Sequence, residues 1–357
     1  MGDTMLAAIL RAPRRMVVEE VPLPEPLPGW VRIKVKATGV CGSDLHAYTG
    51  NHPWLAPGSA MRGMVLDKVY GHEVAGVVDA VGDEVTAVGE GDRVALEGIV
   101  PCLACEYCRV GLYQICSHLT HLGIHYPGGF AEYVMMPAGY VRRIPDTVSF
   151  EDASLLDVLV VGVHAVHVAQ ISMADRVVVL GAGPIGIAMV AAARRAGARQ
   201  IMVVDKYRVP QEIAKAAGAT EVFDAGDDVP ERVMQATESR GADCVLEAIG
   251  YKAKTIPQAV TMLRKGGRIV FTGVFEEPVS LNFGDVLAKE ATSKASHAFG
   301  MWDLVPEQEI ALEMLARGEF PVSRLITHRF GLEQISDAFE TKLAHPDTAI
   351  KVEIIFP

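Results

Sequence analysis

A chain of 357 residues, half of them apolar, exceeds what one hydrophobic core usually holds, so two domains are expected. A formal charge of −11 and a pI near 5.5 leave no basic face for nucleic acid or an anionic membrane, and a small-molecule partner is the expectation. The opening "MGDTMLAAILRAPRR" has no basic stretch ahead of an apolar core, and Leu6 stands where a myristoylation signal wants Ser or Thr, which points to the cytoplasm.

From Leu6 to about Pro145 the chain reads as short β-branched or alternating runs, "VRIKVKA", "EVAGVVDAV", "DRVALEG" and "GFAEYVMM", cut by Gly and Pro turns. The Pro-rich "VPLPEPLPG" between two of them reads as a rigid connector. Within this β half, turns carry Cys41 in "CGSDLH" and His72 in "GHEVAG", followed at once by Glu73. From about Leu155 strand and helix alternate: "RVVVLGAG", "IGIAMVAAARRAG", "QIMVVDK", "VPQEIAKAAGA", then "EVFDA", "CVLEAIG" and "RIVFTGVF". That alternation predicts a doubly wound parallel sheet. The apolar run Val177 to Ala193 is long enough to raise a membrane span, but Gly181, Gly183, Pro184 and Gly186 break it into strand, turn and helix. After about Ala295 the alternation stops, and "AIKVEIIF" reads as a strand returning to the β half.

Four of the six cysteines, Cys102, Cys105, Cys108 and Cys116, sit in a C-x2-C-x2-C-x7-C run. Four thiolates brought together by tight turns suit a closed tetrahedral zinc site, although short C-x2-C repeats also hold iron–sulfur clusters. A closed site organises a loop, so the chemistry belongs elsewhere. Cys41 and His72 offer one soft and one borderline ligand for a second metal. "GAGPIG" follows a strand and opens a helix: Gly181 for the turn, Gly183 for backbone approach to a pyrophosphate, Pro184 and Ile185 at the helix start, Gly186 for close packing. Asp205 ends the next strand, where a carboxylate accepts from adenosine ribose hydroxyls and repels a 2′-phosphate, which favours NAD. Lys206 and Arg208 keep NADP open.

"GVCGSDLH", "GHEVAGVV", "GEGDRVAL", the four-cysteine lobe, "GGFAEYV" and "VVVLGAGPIG" occur in that order, and the chain resembles the zinc-dependent medium-chain dehydrogenase/reductase family over nearly its full length. The resemblance implies an α/β protein: a GroES-like β-rich catalytic domain (1–154, with a zinc lobe at about 98–118), a Rossmann domain (155–295) and a C-terminal return (296–357). It implies two Zn2+ per chain and NAD. The catalytic zinc takes Cys41, His72 and a third ligand. "LLDVLVVGVHA" is similar to the polyol and threonine dehydrogenase branch, where a carboxylate stands at Asp157, and that branch also uses Glu73 as ligand or one step behind. Relatives often have Pro after the acidic residue; this chain has Val158. Asp44 resembles the residue that hydrogen-bonds the metal-bound histidine. Ser43 and His46 resemble a proton relay, with His46 as the solvent-side base. Lys351 resembles a basic residue that reaches the pyrophosphate. Pocket walls in relatives correspond to segments bearing His52, Trp54, His121, His125 and Trp302, which suits a hydroxylated substrate. The family pairs Rossmann domains through an edge strand, here "VSLNF" (279–283), so a homodimer or homotetramer is expected. The implied activity is hydride transfer between NAD and a secondary alcohol of a polyol, vicinal diol or amino alcohol. The alternative is a non-catalytic NAD-binding zinc protein acting as redox sensor or scaffold.

Overall fold

Period-two alternation along Trp30–Gly39 buries Val31, Ile33, Val35 and Ala37 completely, the pattern of a strand with one face on a core. In the computed structural model, which describes residues 3–50 and 66–357, that strand lies at the centre of a seven-stranded sheet. Glu73–Val81 and the C-terminal Lys351–Ile355 flank it, both antiparallel, and Tyr133–Pro137 also pairs with it. Arg93–Leu96, Val141–Arg143 and Ile326–Phe330 extend the sheet outward. The tail strand thus rejoins the β half, with Glu353 opposite Gly39.

One segment of this half is helical rather than a turn. Gly42–Thr49 forms a helix with Cys41 at its N-cap, and Asp44 Oδ2 accepts the Cys41 backbone N–H at 2.9 Å. Gly50, at φ 74°, ends it.

The other unit is built on a six-stranded parallel sheet in the order Glu221–Asp224, Gln200–Asp205, Arg176–Leu180, Ala242–Glu247, Leu263–Phe271, Thr292–Ala295. Numbered along the chain this is 3-2-1-4-5-6, the doubly wound Rossmann order. Arg176–Leu180 is buried at every position, as a central strand covered on both faces must be. The apolar run from Val177 resolves into this strand and the helix Pro184–Arg195. No helix among the described residues is long and apolar enough to cross a membrane.

The first unit comprises residues 1–157, 312–317 and 326–357, and the second 158–311 and 318–325. Residues 296–311 and 318–325 therefore stay with the parallel sheet, whereas the sequence reading sent all of 296–357 to the β half. Glu307 and Arg195 explain part of this: Glu307 binds His164 and His167, and Arg195 holds Glu319 at 2.9 Å. The edge strand also differs from expectation. "VSLNF" forms no strand, because Asn282 accepts from the Gly284 N–H at 3.0 Å and caps a helix, Phe283–Lys289; the sheet edge is Thr292–Ala295.

Candidate active site and metal centres

The cysteine lobe gathers its four thiols through tight turns and single 3-10 turns at Cys108–Val110 and Tyr113–Ile115. Their sulfurs lie within 4.8 Å of one another, all unpaired as free cysteines. Cys105 and Cys116 Sγ are 3.8 Å apart, which matches the edge of a tetrahedron built on Zn–S bonds of about 2.3 Å. Backbone N–H groups of Cys102 and His118 donate to Cys116 Sγ at 3.3 Å. The Cys108 N–H helps bring the Cys105 thiol down to about 6, while burial pushes Cys108 up to about 12. N–H donors aimed at sulfur orient thiolates around a metal. The donor set is complete and closed, and it fits a structural zinc.

The second centre forms where two elements of the β unit meet. Cys41 caps the short helix, His72 precedes the strand Glu73–Val81, and Glu73 opens that strand. Donor atoms of the three lie within 4.8 Å of one another. Glu73 is 2% exposed, and its Oε2 accepts from the ammonium of Lys351, which also donates to the Val40 carbonyl at 3.3 Å. A Cβ on Gly39 would stand 2.0 Å from Glu73 Oε2, so only glycine leaves room for this pair. Lys351 is itself 1% exposed. The residue expected at the pyrophosphate is instead buried against the Glu73 carboxylate, at the start of the C-terminal strand whose Glu353 pairs with Gly39.

Asp157 sits in the first turn of the helix Leu156–Ala169, outside the compact donor group; its Oδ1 accepts the Gly98 N–H at 3.1 Å. Burial raises its carboxyl to about 6, while His72 pulls it back, which places the two within electrostatic reach. Asp44 Oδ1 stands 3.7 Å from His72 Nδ1, an ion-pair distance longer than a hydrogen bond. Desolvation lowers the His72 imidazole, but Cys41 and Asp44 outweigh it and hold the group well above its usual 6.5. A field that favours a proton on His72 also favours a divalent cation, so the residues fit a metal.

Ser43 and His46 are i,i+3 neighbours on the short helix and share one face. His46 is buried, not solvent-facing. Of the expected pocket residues, His52 and Trp54 lie outside the described residues. His121 and His125 stack with centroids 5.8 Å apart in the β unit, and Trp302 stacks on His167 in the other.

In the parallel-sheet unit the glycine motif has the shape its spacing implies. Gly181 has φ 95°, and a Cβ on Gly186 would come within 1.8 Å of the Gly181 carbonyl, so strand and helix can pack only with glycine there. A Cβ on Gly183 would meet nothing within 4 Å: the space above this helix N-terminus, where Pro184 and Ile185 begin the first turn, is open for a phosphate. Asp205 Oδ2 accepts the Ala182 N–H at 2.7 Å and Oδ1 the Tyr207 N–H at 2.8 Å, which locks the carboxylate at the strand end. Lys206 lies over the Tyr207 ring at 4.7 Å, and Arg208 pairs with Glu212 at 2.9 Å. These geometries fit a dinucleotide.

A third donor group, His164, His167 and Glu307, escaped the sequence reading. The H-x2-H spacing in "HAVH" was a usable signal for two of its members, whereas Glu307 is brought in only by the fold.

Residues 27–146 match the alcohol dehydrogenase GroES-like domain and residues 184–316 the zinc-binding dehydrogenase domain. A sorbitol dehydrogenase of Bacillus subtilis (strain 168) is 32% identical, over 99% of this chain and 98% of its own. An L-idonate 5-dehydrogenase of Vitis vinifera is 32% identical, over 98% and 94%. Among solved structures, the alcohol dehydrogenase rspB of Escherichia coli CFT073, complexed with NADH, superposes with a TM-score of 0.89 at 28% identity, covering 99% of this chain and all of that one.

Proposed function

Because the chain belongs to the zinc-dependent medium-chain alcohol dehydrogenases, in their polyol branch, we propose that it oxidises a secondary alcohol of a polyol, vicinal diol or amino alcohol with NAD. The observation that carries this is the convergence of the Cys41 and His72 donors within 4.8 Å, beside a helix bearing Ser43 and His46 and with the buried Asp157 carboxylate in electrostatic reach of His72. Cys41, His72 and one carboxylate hold the catalytic zinc; we assign that carboxylate to Asp157, since Glu73 is already engaged by Lys351. When bound, zinc would supply Lewis-acid polarisation of an alcohol oxygen, and NAD would supply a hydride acceptor. Ser43 Oγ accepts the hydroxyl proton as it gives up its own to the relay, which ends on a ring nitrogen of His46. Gly181 to Gly186 and the Pro184–Arg195 N-terminus bind the pyrophosphate, while Asp205 holds the adenosine ribose and disfavours a 2′-phosphate.

The unpaired state of all six cysteines supports a cytoplasmic setting. Exposed Phe283 and Leu287 beside the open edge strand Thr292–Ala295 support a homodimer or homotetramer. The test is NADH production from a panel of polyols, vicinal diols, amino alcohols such as threonine, and simple alcohols, on zinc-replete protein. Turnover of a hydroxylated secondary alcohol, abolished in Cys41→Ala, is expected. Turnover restricted to simple primary alcohols would overturn the substrate class, and none with any alcohol the reaction itself.

A further inference from the structure

The helix Leu156–Ala169 carries His164 and His167 three residues apart, so their imidazoles share one face. Glu307, the first residue of the helix Glu307–Ala316, is fully buried. The three side chains meet inside the parallel-sheet unit. His164 Nδ1 lies 3.0 Å from Glu307 Oε1 and 2.9 Å from Oε2, and His167 Nδ1 lies 2.7 Å from Oε1. Glu307 Oε2 also accepts the Gly300 N–H at 2.6 Å. Trp302 stacks flat against His167, with centroids 4.6 Å apart and planes 6° from parallel.

We infer that His164, His167 and Glu307 form a further metal site, distinct from the cysteine lobe and from the Cys41 centre, for a divalent ion such as Zn2+ or Ni2+. Two imidazoles and one carboxylate suit these borderline ions; calcium and magnesium prefer all-oxygen shells, and cuprous copper prefers sulfur. The donors need little movement. Bonds of about 2.0–2.1 Å hold neighbouring ligands of a tetrahedral ion roughly 3.3–3.5 Å apart, so the two imidazoles, at 3.0 and 2.7 Å from Glu307 Oε1, must draw back from it by less than about 1 Å.

The carboxylate is also prepared asymmetrically. Oε2 is fixed by a backbone N–H, the kind of hydrogen bond that orients a ligating carboxylate. Oε1 is the atom that both imidazoles approach, and it is the one an ion would share with them. Each Nδ1 becomes a ligand when its ring proton resides on Nε2 instead, with no net change in charge on the ring. The His167 side chain keeps 30% of its surface exposed and provides the way in. Bound there, the ion pins residues 300–307 to the histidine helix, and three protein ligands leave a fourth position for water.

The test uses Ni2+ on full-length protein loaded with two zinc ions per chain, the number that the cysteine lobe and the Cys41 centre take. Equilibrium dialysis should find one more nickel per chain on the wild type than on His167→Gln or Glu307→Gln, with zinc content equal in all three. Nickel should quench the fluorescence of Trp302 in the wild type, and quenching should vanish in His167→Gln and in Trp302→Phe, the latter still binding the ion. Should Glu307→Gln fail to fold, His167→Gln decides, since its side chain is partly at the surface. Equal nickel binding by wild type and His167→Gln overturns the proposal. So does a variant that loses thermal stability with nickel binding unchanged, which would make the cluster a hydrogen-bonded clamp and nothing more.

Discussion

Glu73 lies in the compact donor group with Cys41 and His72, yet the Lys351 ammonium occupies its Oε2, while Asp157 Oδ1 accepts the Gly98 backbone N–H. A carboxylate already neutralised by a buried lysine is a weaker anion for a metal than one that burial has raised to about 6 and that a cation would return to ionised form. Asp157→Asn, which keeps size and removes charge, should therefore lose one zinc per chain by metal analysis and lower turnover by about 100-fold or more. Glu73→Gln should keep both zinc ions with a smaller loss of rate. The reverse pattern would make Glu73 the ligand. At the cofactor end, Asp205 is locked by two backbone N–H groups, so Asp205→Ala should weaken NAD by about 10-fold, the worth of one charged hydrogen bond. The same variant should narrow the preference over NADP in parallel titrations. An unchanged ratio would transfer the discrimination to Lys206 and Arg208.

At the scale of elements, the C-terminal strand Lys351–Ile355 carries a second buried carboxylate, Glu353, fully enclosed and accepting from Ser154 Oγ at 2.8 Å. Burial pushes its carboxyl up to about 8 from the usual 4.5, against the pull of Ser154 and Lys351. Below pH 4.5 the group is protonated in folded and unfolded chains alike and costs nothing. Between 4.5 and 8 only the unfolded chain ionises, so stability falls by up to about 1.4 kcal/mol per pH unit. Glu353→Gln should flatten this decline, leaving the variant the more stable of the two near pH 8 in denaturant melts; parallel pH profiles would refute the assignment. Strands such as Trp30–Gly39 and the parallel order of the other unit were legible because burial period and the Gly181–Gly186 turn are local signals. The helix after Cys41 was not, since it is only eight residues long and its cap is a cysteine assisted by Asp44 rather than the usual Ser or Thr. "VSLNF", expected as the edge strand from the family resemblance, is not one, because a single Asn282 cap redirects the chain into a helix. The Lys351–Glu73 pair and the His164–His167–Glu307 cluster join residues far apart in the chain, and no spacing rule reaches that distance.

For the molecule as a whole, the charge of −11 keeps chains apart in solution, so association needs a local surface that overrides it. The parallel sheet offers one. Its last strand, Thr292–Ala295, is exposed at every residue and pairs on one side only with Leu263–Phe271. Beside it the helix Phe283–Lys289 presents Phe283 at 74% and Leu287 at 79% exposure, four residues apart and so on one face. The same helix borders a largely apolar groove of about 300 Å³ lined by Ile256, Val260, Phe275 and Leu281. An open strand edge flanked by bare aromatic and aliphatic side chains invites pairing. A second copy related by a two-fold axis would cover strand and helix at once, because a symmetric interface buries the same patch twice. Leu287→Glu places a charge in the middle of that patch and touches nothing in the metal or dinucleotide sites. Light scattering should show the wild type at a multiple of 38.4 kDa and Leu287→Glu at or near 38.4 kDa, with the fold intact by circular dichroism. A wild-type monomer, or a variant that stays assembled, would remove this face from the interface and return the helix and strand edge to the role of ordinary solvent-facing surface.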